Sequence, residues 1–382
     1  MSRVLVTGAG GFIGRHALRP LSAAGYEVHA VTSRAPCDGP PTRCGAPEEQ
    51  LWQMAPEVSW HRADLLAPGS AEALMRTLQP SHLLHLAWYT QPGAFWTSLE
   101  NLDWMHASVC LLRAFGEHGG RRAVVAGTCT EYEWGRNTHC VEDVSKQPDV
   151  HDRGAAAIDA TRADLATCMR PATLYGAAKH ALHVIAERWA AQSDVALAWG
   201  RVFYVYGPDE HPARLVSGVA RALLRGEEAL CTSGTQVRDY MFAPDMGGAF
   251  AALLDSDVAG SVNMASGVPV AVADVVMAIA TAARRPELVR LGALPQRLSD
   301  AERLTADVRR LREEVGWHPS VDLQEGAART VDWWKAALAR DRERSCKQAG
   351  ASALDPSVIR AAAHRTAARP CSPRPAWPGP RR

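Results

Sequence analysis

The sequence has little net charge, no long apolar run and no closely spaced pair of cysteines. Its 42 Lys and Arg residues nearly balance its 41 Asp and Glu residues, which leaves a formal net charge of +1 over 382 residues. This balance gives no reason to expect a nucleic-acid partner, and the lack of a bilayer-spanning run gives none to expect a membrane partner. The nine cysteines form no Cys-x-x-Cys pair, so we expect no metal site and no disulfide framework. The first strand pattern begins at the third residue and leaves no room for a signal peptide, so we expect a cytoplasmic protein.

A glycine-rich segment follows the first apolar run of the chain. Residues 4–6 (VLV) are typical of a short buried strand, and residues 7–14 (TGAGGFIG) come directly after it. Gly8 permits a tight turn, Gly11 lets backbone N–H groups approach a pyrophosphate, and Gly14 allows the next helix to pack closely on the strand. The N-terminus of that helix would face the phosphate charge. The pattern predicts a dinucleotide site that includes Gly8, Gly11, Phe12, Ile13 and Gly14.

The end of the second predicted strand bears on the choice of coenzyme. Residues 27–31 (EVHAV) predict the strand, and Thr32, Ser33 and Arg34 follow it with no carboxylate among them. A carboxylate here would bind the ribose hydroxyls of NAD(H), whereas Ser33 and Arg34 favour the 2′-phosphate of NADP(H). NAD(H) is the alternative if Arg34 is only a solvated loop residue. Asp64, with Leu65, stands where an acid would contact the adenine or else cap the next helix.

Tyr175 and Lys179 are four residues apart in a segment whose composition predicts a helix. That spacing places both side chains on one helix face. A cation beside a phenol favours the ionised phenol, so we expect Lys179 to lower the pKa of Tyr175 and to prepare it for proton transfer. The same spacing also occurs by chance on solvated helix faces. Other motifs of the chain must therefore show whether this pair is catalytic.

The chain resembles the extended short-chain dehydrogenase/reductase family through six motifs that occur in the same order. The resemblance extends from about residue 3 to residue 337. The branch it resembles contains nucleotide-sugar epimerases, dehydratases and ketoreductases. The motifs are residues 7–14, residues 85–88 (HLAW), residues 127–132 (GTCTEY), residues 175–179, residues 201–208 (RVFYVYGP), and residues 238–240 with Asp245. The resemblance implies an α/β fold, with a Rossmann-type doubly wound parallel sheet and a smaller C-terminal substrate-binding lobe.

The resemblance also assigns roles to individual residues. It implies that Thr128 bonds the reacting sugar oxygen, that Tyr175 is the catalytic tyrosine, and that Lys179 also contacts the nicotinamide ribose. Leu86 and Ala87 would border the cofactor. Relatives that remove water across C5 and C6 carry an acid pair after the threonine, where this chain has Cys129 and Thr130, so we do not expect 4,6-dehydration.

Two departures from the family pattern stand out. Thr128 and Tyr175 are separated by 47 positions (175 − 128), which indicates an insertion at about residues 136–170. The insertion either covers the sugar pocket or has no part in the chemistry. Tyr204 stands where many relatives have an asparagine that touches the substrate phosphates.

The C-terminal part of the chain predicts the substrate lobe and a tail. We divide the chain into a dinucleotide-binding domain at residues 1–200, a lobe at residues 201–338 and a disordered basic tail rich in Pro and Arg at residues 339–382. Arg214 and Arg238 are candidates for binding a diphosphate, although either could be an ordinary surface charge. Trp88 adjoins the cofactor motif and either lines the pocket or packs in the core.

Three functions fit these features. We favour an NADPH-dependent reductase of the 4-keto group of a nucleotide-linked 6-deoxyhexose, because the strings around Thr128 and Tyr175 resemble relatives that make deoxysugars. The first alternative is a nucleotide-sugar 4-epimerase with retained NAD, and the second is a non-catalytic dinucleotide-sensing protein, against which the Tyr175 and Lys179 pair argues. Relatives pair through the helices that include this segment, so the resemblance implies a homodimer.

Overall fold

The computed structural model describes residues 2–33, 57–134, 137–140, 168–296 and 301–353. It contains two compact units, Met1–Trp334 and Lys335–Arg382. Arg34, most of the predicted insertion and the end of the predicted tail therefore lie outside the described residues.

The described residues form strands and helices that alternate along the first half of the chain. The strands are β1 (Arg3–Thr7), β2 (Glu27–Thr32), β3 (Ser59–Arg62), β4 (His82–His85), β5 (Arg122–Thr128), β6 (Asn137–Cys140), β7 (Ala196–Val202), β8 (Tyr204–Tyr206), β9 (Ala229–Leu230), β10 (Val237–Phe242), β11 (Gly260–Met264), β12 (Pro269–Ala271), β13 (Val289–Arg290) and β14 (Arg303–Ala306). The α-helices are α1 (Gly14–Ala23), α2 (Ser70–Leu78), α3 (Glu100–Glu117), α4 (Leu174–Ala190), α5 (Leu215–Arg225), α6 (Ala243–Asp255), α7 (Val272–Ala282) and α8 (Leu323–Ala353).

Seven parallel strands form the main sheet, in the order β11-β7-β5-β4-β1-β2-β3. The strand order reverses at β1, which pairs with β2 on one side and with β4 on the other. Ligands of such sheets bind at the carboxyl ends of the strands next to this reversal, and the glycine-rich segment begins there. The predicted Rossmann-type doubly wound α/β fold is confirmed.

Each face of the main sheet is covered by its own apolar core. Val4 and Val6 of β1 pack in a core with α1 and α6, whereas Leu5 packs on the opposite face with α2, α3 and α4. The alternation follows from the two-residue period of a strand. Because the sheet is buried on both faces, β1 reads as a continuous apolar run rather than an alternating one.

A second, smaller sheet lies in the C-terminal part of the first unit. Its strands run in the order β12-β10-β14-β6, and β8 pairs with β10. Strand β6 falls inside the segment that we expected to be an insertion, and it pairs with β14, more than 160 residues later (303 − 137 = 166). Part of that segment is therefore a strand of the smaller sheet, while residues 141–167 lie outside the described residues.

Helix α8 runs to Ala353, which is fifteen residues (353 − 338) into the segment expected to be a disordered tail. Ala, Arg, Glu, Lys and Gln dominate this stretch, and all of them favour a helix. The expectation of disorder was therefore wrong for residues 339–353, and it stays a prediction for the remainder. None of the helices in the described parts of the chain is both long enough and apolar enough to cross a membrane.

Helices α1 and α6 meet at Gly247, and this close approach gives a test of the packing. A Cβ atom added at Gly247 would lie 2.6 Å from the carbonyl oxygen and 2.6 Å from the Cβ of His16. We expect Gly247→Ala to lower the free energy of unfolding by about 1–3 kcal/mol, because the helices would have to separate.

The neighbouring Gly248 provides the control. A Cβ atom there would be 3.6 Å from the nearest atom, Nε1 of Trp317. Gly248→Ala should therefore be neutral or raise the free energy of unfolding by up to about 1 kcal/mol, because alanine favours the helix. Urea denaturation of the two variants measures both changes in the free energy of unfolding. Equal changes would contradict the close contact of α1 with α6 at Gly247.

Candidate active site

The glycine-rich turn lies against the residue pair that follows β4. Gly8 has φ +68°, and a Cβ atom there would lie 2.7 Å from the backbone nitrogen of Ala87 and 2.7 Å from the carbonyl carbon of Leu86. Only glycine fits this position. Leu86 and Ala87 therefore border the turn, and their contact with the cofactor stays a prediction. No side chain caps helix α1, while the N–H groups of Arg15 and His16 in its first turn donate to the backbone carbonyls of Gly11 and Ile13.

A buried chain of hydrogen bonds fixes the ends of β1 and β4 beneath this turn. Oγ1 of Thr7 is 2.6 Å from Nδ1 of His85, and Nε2 of His85 is 2.8 Å from Oγ of Ser108. Ser108 donates to the carbonyl of Trp104, so it must accept from His85, and Thr7 must donate to the other ring nitrogen. Burial lowers the pKa of His85 to about 3, which keeps the ring neutral. Thr7 in turn accepts the N–H of Ala87 at 3.4 Å.

Thr128 and Tyr175, predicted as catalytic from the sequence, lie together above the sheet. Thr128 ends β5 and Tyr175 lies in the first turn of α4, with its phenol near the Thr128 side chain. The Tyr175 ring meets Phe95 edge-on at a centroid distance of 5.0 Å and Trp96 at 6.0 Å. The Tyr175 N–H also donates to the carbonyl of Trp96. These contacts fix the phenol beside the threonine hydroxyl.

The expected lowering of the Tyr175 pKa is wrong for this structure. Burial raises the pKa of Tyr175 to about 12, and the neighbouring Thr128 hydroxyl and the charge of Arg214 oppose this rise. The rings of Phe95 and Trp96 lie against the Tyr175 ring, and the ammonium group of Lys179 is directed to the Ala126 carbonyl and the Trp88 ring instead of the phenol.

Lys179 is buried and makes two contacts of its own. Its Nζ donates to the carbonyl of Ala126 at 2.7 Å and lies 3.8 Å from the centre of the Trp88 ring. Burial lowers the pKa of Lys179 to about 7, and the charge of Glu131 opposes this. Trp88 is held in place because its Nε1 donates to Oδ1 of Asn101 at 2.9 Å. Trp88 thus lies against Lys179 as well as against the apolar core.

A buried carboxylate that the sequence reasoning missed supports Thr128. Glu131 is fully buried and accepts the backbone N–H of Thr128 at 2.7 Å, the Nε1 of Trp199 at 3.0 Å and the Nε of Arg201 at 3.2 Å. Thr128 and Glu131 form a capping box around a short 3-10 turn. A Thr-x-x-Glu pattern is the sequence signature of a capping box. Residues 128–131 show this pattern, so the contact of Glu131 with Thr128 could have been predicted from the sequence.

The network continues along α4 to the surface. Arg201 donates to Nδ1 of His183 at 3.3 Å, and Nε2 of His183 is 3.0 Å from a carboxylate oxygen of Glu187. Donor atoms of Glu131, His180 and His183 lie within 4.8 Å of one another. Because the guanidinium of Arg201 already contacts the Glu131 carboxylate, a metal ion would have to compete with a fixed cation there.

The predicted substrate residues lie in and beside the smaller sheet. Arg238 is buried in β10, and its Nε donates to the hydroxyl of Tyr204 at 3.1 Å. Arg214 is exposed at the start of α5, with its guanidinium 5.7 Å from the centre of the Phe95 ring. Arg214 therefore lies on the side of the site that holds Tyr175.

Four predicted coenzyme residues follow β2 and β3. Ser33 is exposed at the end of β2, and Arg34 lies outside the described residues. Oδ1 of Asp64 accepts the N–H of Leu66 in a local turn, while Gly69 precedes helix α2. The alternative in which Asp64 caps that helix is therefore wrong. Leu65 is buried beside the same turn.

Fold and site together define an enzyme of the extended short-chain dehydrogenase/reductase type. The chain belongs to the NAD dependent epimerase/dehydratase family, whose model matches residues 4–265.

Relatives of this chain act on nucleotide sugars, as their names state. It is similar to UDP-glucuronic acid decarboxylase 1 of Xenopus tropicalis, with 23% identity over 88% of this chain and 73% of the relative. It is also similar to dTDP-L-rhamnose 4-epimerase of Burkholderia thailandensis, with 24% identity over 88% of this chain and 96% of the relative. The UDP-glucose 4-epimerase of Thermus thermophilus, solved with NAD, matches with a TM-score of 0.66 and 26% identity, over 88% of this chain and 99% of that one.

The lowered pKa of Lys179 gives a test of its burial. Its pKa is 10.5 in water and about 7 in the fold, so the unfolded chain binds the proton more tightly. The contribution of Lys179 to stability is therefore fully present above about pH 10.5 and is lost as the pH falls towards 7. We expect Lys179→Met to stabilise the coenzyme-free protein more at pH 7 than at pH 10, by about 1–4 kcal/mol.

Lys335→Met serves as the control, because Lys335 is exposed and its ammonium stays in water in both states. Thermal unfolding of the three proteins between pH 7 and 10 measures the difference. A Lys179→Met effect that is independent of pH would show that the amine is hydrated.

Proposed function

We propose that this protein transfers a hydride at C4 of a nucleotide-linked 6-deoxyhexose, as an NADPH-dependent reductase of the 4-keto group. The observation that supports the proposal is that Tyr175 and Lys179 lie four residues apart on α4 and that Lys179 donates to the carbonyl of Ala126, two residues before Thr128 in β5. A polarising hydroxyl, a proton donor and a cation are the groups that carbonyl reduction needs.

The glycine-rich turn fits a dinucleotide. Gly8 leaves no space for a Cβ atom, and no side chain caps the start of α1, so a pyrophosphate would meet the positive end of the helix without a competing side-chain cap. When bound, the coenzyme supplies the hydride. Ser33 and Arg34 support a preference for NADPH, whereas NAD(H) is the coenzyme of the Thermus thermophilus neighbour.

Each catalytic residue then has one task. Thr128 donates a hydrogen bond to the C4 oxygen, and Tyr175 gives that oxygen a proton. Because burial raises the Tyr175 pKa to about 12, the phenol is protonated at neutral pH and ready to donate. The ammonium of Lys179, once the nicotinamide ribose is in place, would favour the phenolate that remains.

The residues after Thr128 argue against a dehydratase. Burial raises the pKa of the Cys129 thiol to about 12, and Thr130 does not ionise near neutral pH. Neither can act as the acid and base for loss of water. A 4-keto sugar would therefore reach this protein already dehydrated.

A nucleotide-sugar 4-epimerase is the second candidate. The relatives named as 4-epimerases support it, among them the dTDP-L-rhamnose 4-epimerase, whose name also specifies a 6-deoxyhexose. An epimerase uses the same three residues but oxidises and re-reduces C4 with retained NAD. The two candidates differ in net redox change and not in the site.

Helices α3 and α4 carry exposed apolar residues that could contact a second copy of the chain. Leu99, Leu102, Val184 and Ile185 are exposed apolar residues at the start of α3 or on α4, with 71%, 44%, 44% and 47% of their surface exposed. We propose that these faces meet in a homodimer and that Arg238 and Arg214 bind the anionic substrate. A cytoplasmic location is part of the same proposal.

The first test concerns the net reaction. A nucleotide-linked 4-keto-6-deoxyhexose should consume about one NADPH for each sugar reduced, because a reductase cannot regenerate its own hydride. NADPH should be used in preference to NADH. Absorbance of the coenzyme and NMR of the sugar give both quantities. Interconversion of two hexoses without added coenzyme, and with NAD released on denaturation, would instead establish the epimerase.

The second test concerns the proton donor. Tyr175→Phe removes only the hydroxyl, so turnover should fall by about 10²- to 10⁴-fold while coenzyme affinity changes little. Tyr26→Phe, the same change at a tyrosine whose hydroxyl donates to Asp255, is the control and should retain most activity. Steady-state kinetics with fluorescence titration of the coenzyme separates the two effects. Near-normal turnover of Tyr175→Phe would assign the proton to another group.

A further inference from the structure

The charge of Lys179 is buried between two neutral partners. Only 3% of this residue is exposed, so little water reaches its amine. Nζ donates to the carbonyl of Ala126 at 2.7 Å and lies 3.8 Å from the centre of the Trp88 ring. Burial lowers the pKa of Lys179, and the carboxylate that opposes this effect, Glu131, already pairs with Arg201 at 3.2 Å. Stabilisation of the ammonium therefore depends largely on a carbonyl dipole and an aromatic face.

The Trp88 ring is held with its face towards Lys179. Nε1 at the edge of the ring donates to Oδ1 of Asn101 at 2.9 Å. Asn101 is fully buried, and its Nδ2 donates to the carbonyls of Phe95 at 2.7 Å and Ser98 at 2.8 Å, so both its protons are used and Oδ1 is the acceptor. The edge of the indole is thereby fixed, while its face stays in contact with Nζ.

An indole face attracts an ammonium without forming a directional bond to it. The negative face of the ring quadrupole acts on a cation within about 6 Å, and the attraction grows when water is excluded. An ammonium has three N–H donors, one of which is given to Ala126. The ring stabilises the charge and leaves a donor for the nicotinamide ribose, a contact that the family resemblance assigns to Lys179. A carboxylate in the place of Trp88 would stabilise the charge as well, but it would also accept that donor.

We propose that Trp88 is a positioning residue whose ring face keeps the buried Lys179 amine protonated while hydride transfer takes place at C4. This role rests on the proposed function, in which the ammonium favours the phenolate that Tyr175 leaves behind. A neutral amine has no such effect, so the rate should fall as the pH rises through the Lys179 pKa. Because the ring attracts only the protonated form, loss of the ring face should lower that pKa.

A purely structural role for Trp88 predicts the opposite change. If the ring only excluded water, its removal would hydrate the amine, relieve the effect of burial and raise the Lys179 pKa towards its value of 10.5 in water. Attraction to the ring and exclusion of water therefore act on this pKa with opposite signs. The direction of the shift distinguishes the two roles, whatever the change in stability.

The experiment measures the Lys179 pKa in the coenzyme-free protein. Lysine labelled with ¹³C at the ε carbon gives one signal for each of the four lysines of the chain, and Lys179→Met identifies the signal of Lys179. We expect Trp88→Leu to lower the Lys179 pKa by about one unit or more, and Trp88→Phe, which keeps a weaker ring, by less. Trp104→Leu is the control, because Trp104 packs against the same apolar core and should leave the pKa unchanged.

Kinetics then connect the Lys179 pKa to the reaction. In Trp88→Leu the alkaline limb of the kcat profile should move to lower pH by the same amount, with kcat below that limb close to the wild-type value. If Trp88→Leu does not fold, Trp88→Phe decides both measurements. A Lys179 pKa that stays or rises would overturn the proposal, and so would a lowered pKa without a shift of the limb.

The titration needs no substrate, which separates the role of Trp88 from the proposed function. If the wild-type protein transfers no hydride to any nucleotide-linked sugar, the proposed function fails. The lysine signals then still show whether the Trp88 ring keeps the amine protonated.

Discussion

The buried ion pair between Glu131 and Arg201 connects the core of this protein to its chemistry. Neither side chain is exposed to solvent, so each charge depends on the other and on the hydrogen bonds around it. Removal of one partner from such a pair costs about 3–5 kcal/mol, because the other remains charged and buried. The same carboxylate accepts the N–H of Thr128. The backbone of Thr128, whose hydroxyl is predicted to be catalytic, is thus held by a carboxylate that also forms a buried salt bridge.

Close approaches of backbone complete the geometry. Gly8 brings the glycine-rich turn against Leu86 and Ala87, and Gly176 brings α4 against the turn that carries Thr130. Side chains at these two positions would separate the elements that hold coenzyme and catalytic residues. The spacing between these elements is therefore set by contacts of the main chain. The main chain can adjust less than side chains can.

Much of this arrangement could be predicted from the sequence, because local patterns specify it. The glycine spacing after β1 gave the dinucleotide turn, and the four-residue spacing of Tyr175 and Lys179 gave a shared helix face. The contact of Glu131 with Arg201 joins positions 70 residues apart, and no local pattern reports such a pair. The Tyr175 pKa was predicted in the wrong direction, because spacing alone reveals neither the enclosure by Phe95 nor the Ala126 carbonyl that holds Lys179. Strand β6 was missed because its partner β14 is remote in the chain.

Helix α4 carries Tyr175, Lys179, His183 and Glu187 at intervals of four residues, so reaction and core share one stripe of the helix. A slip of one residue in this helix would rotate the stripe by about 100° and separate all four from their partners together. The groups predicted to be catalytic therefore share one helix register with residues that contact the core, and a change that disturbs that register would affect stability and the site together.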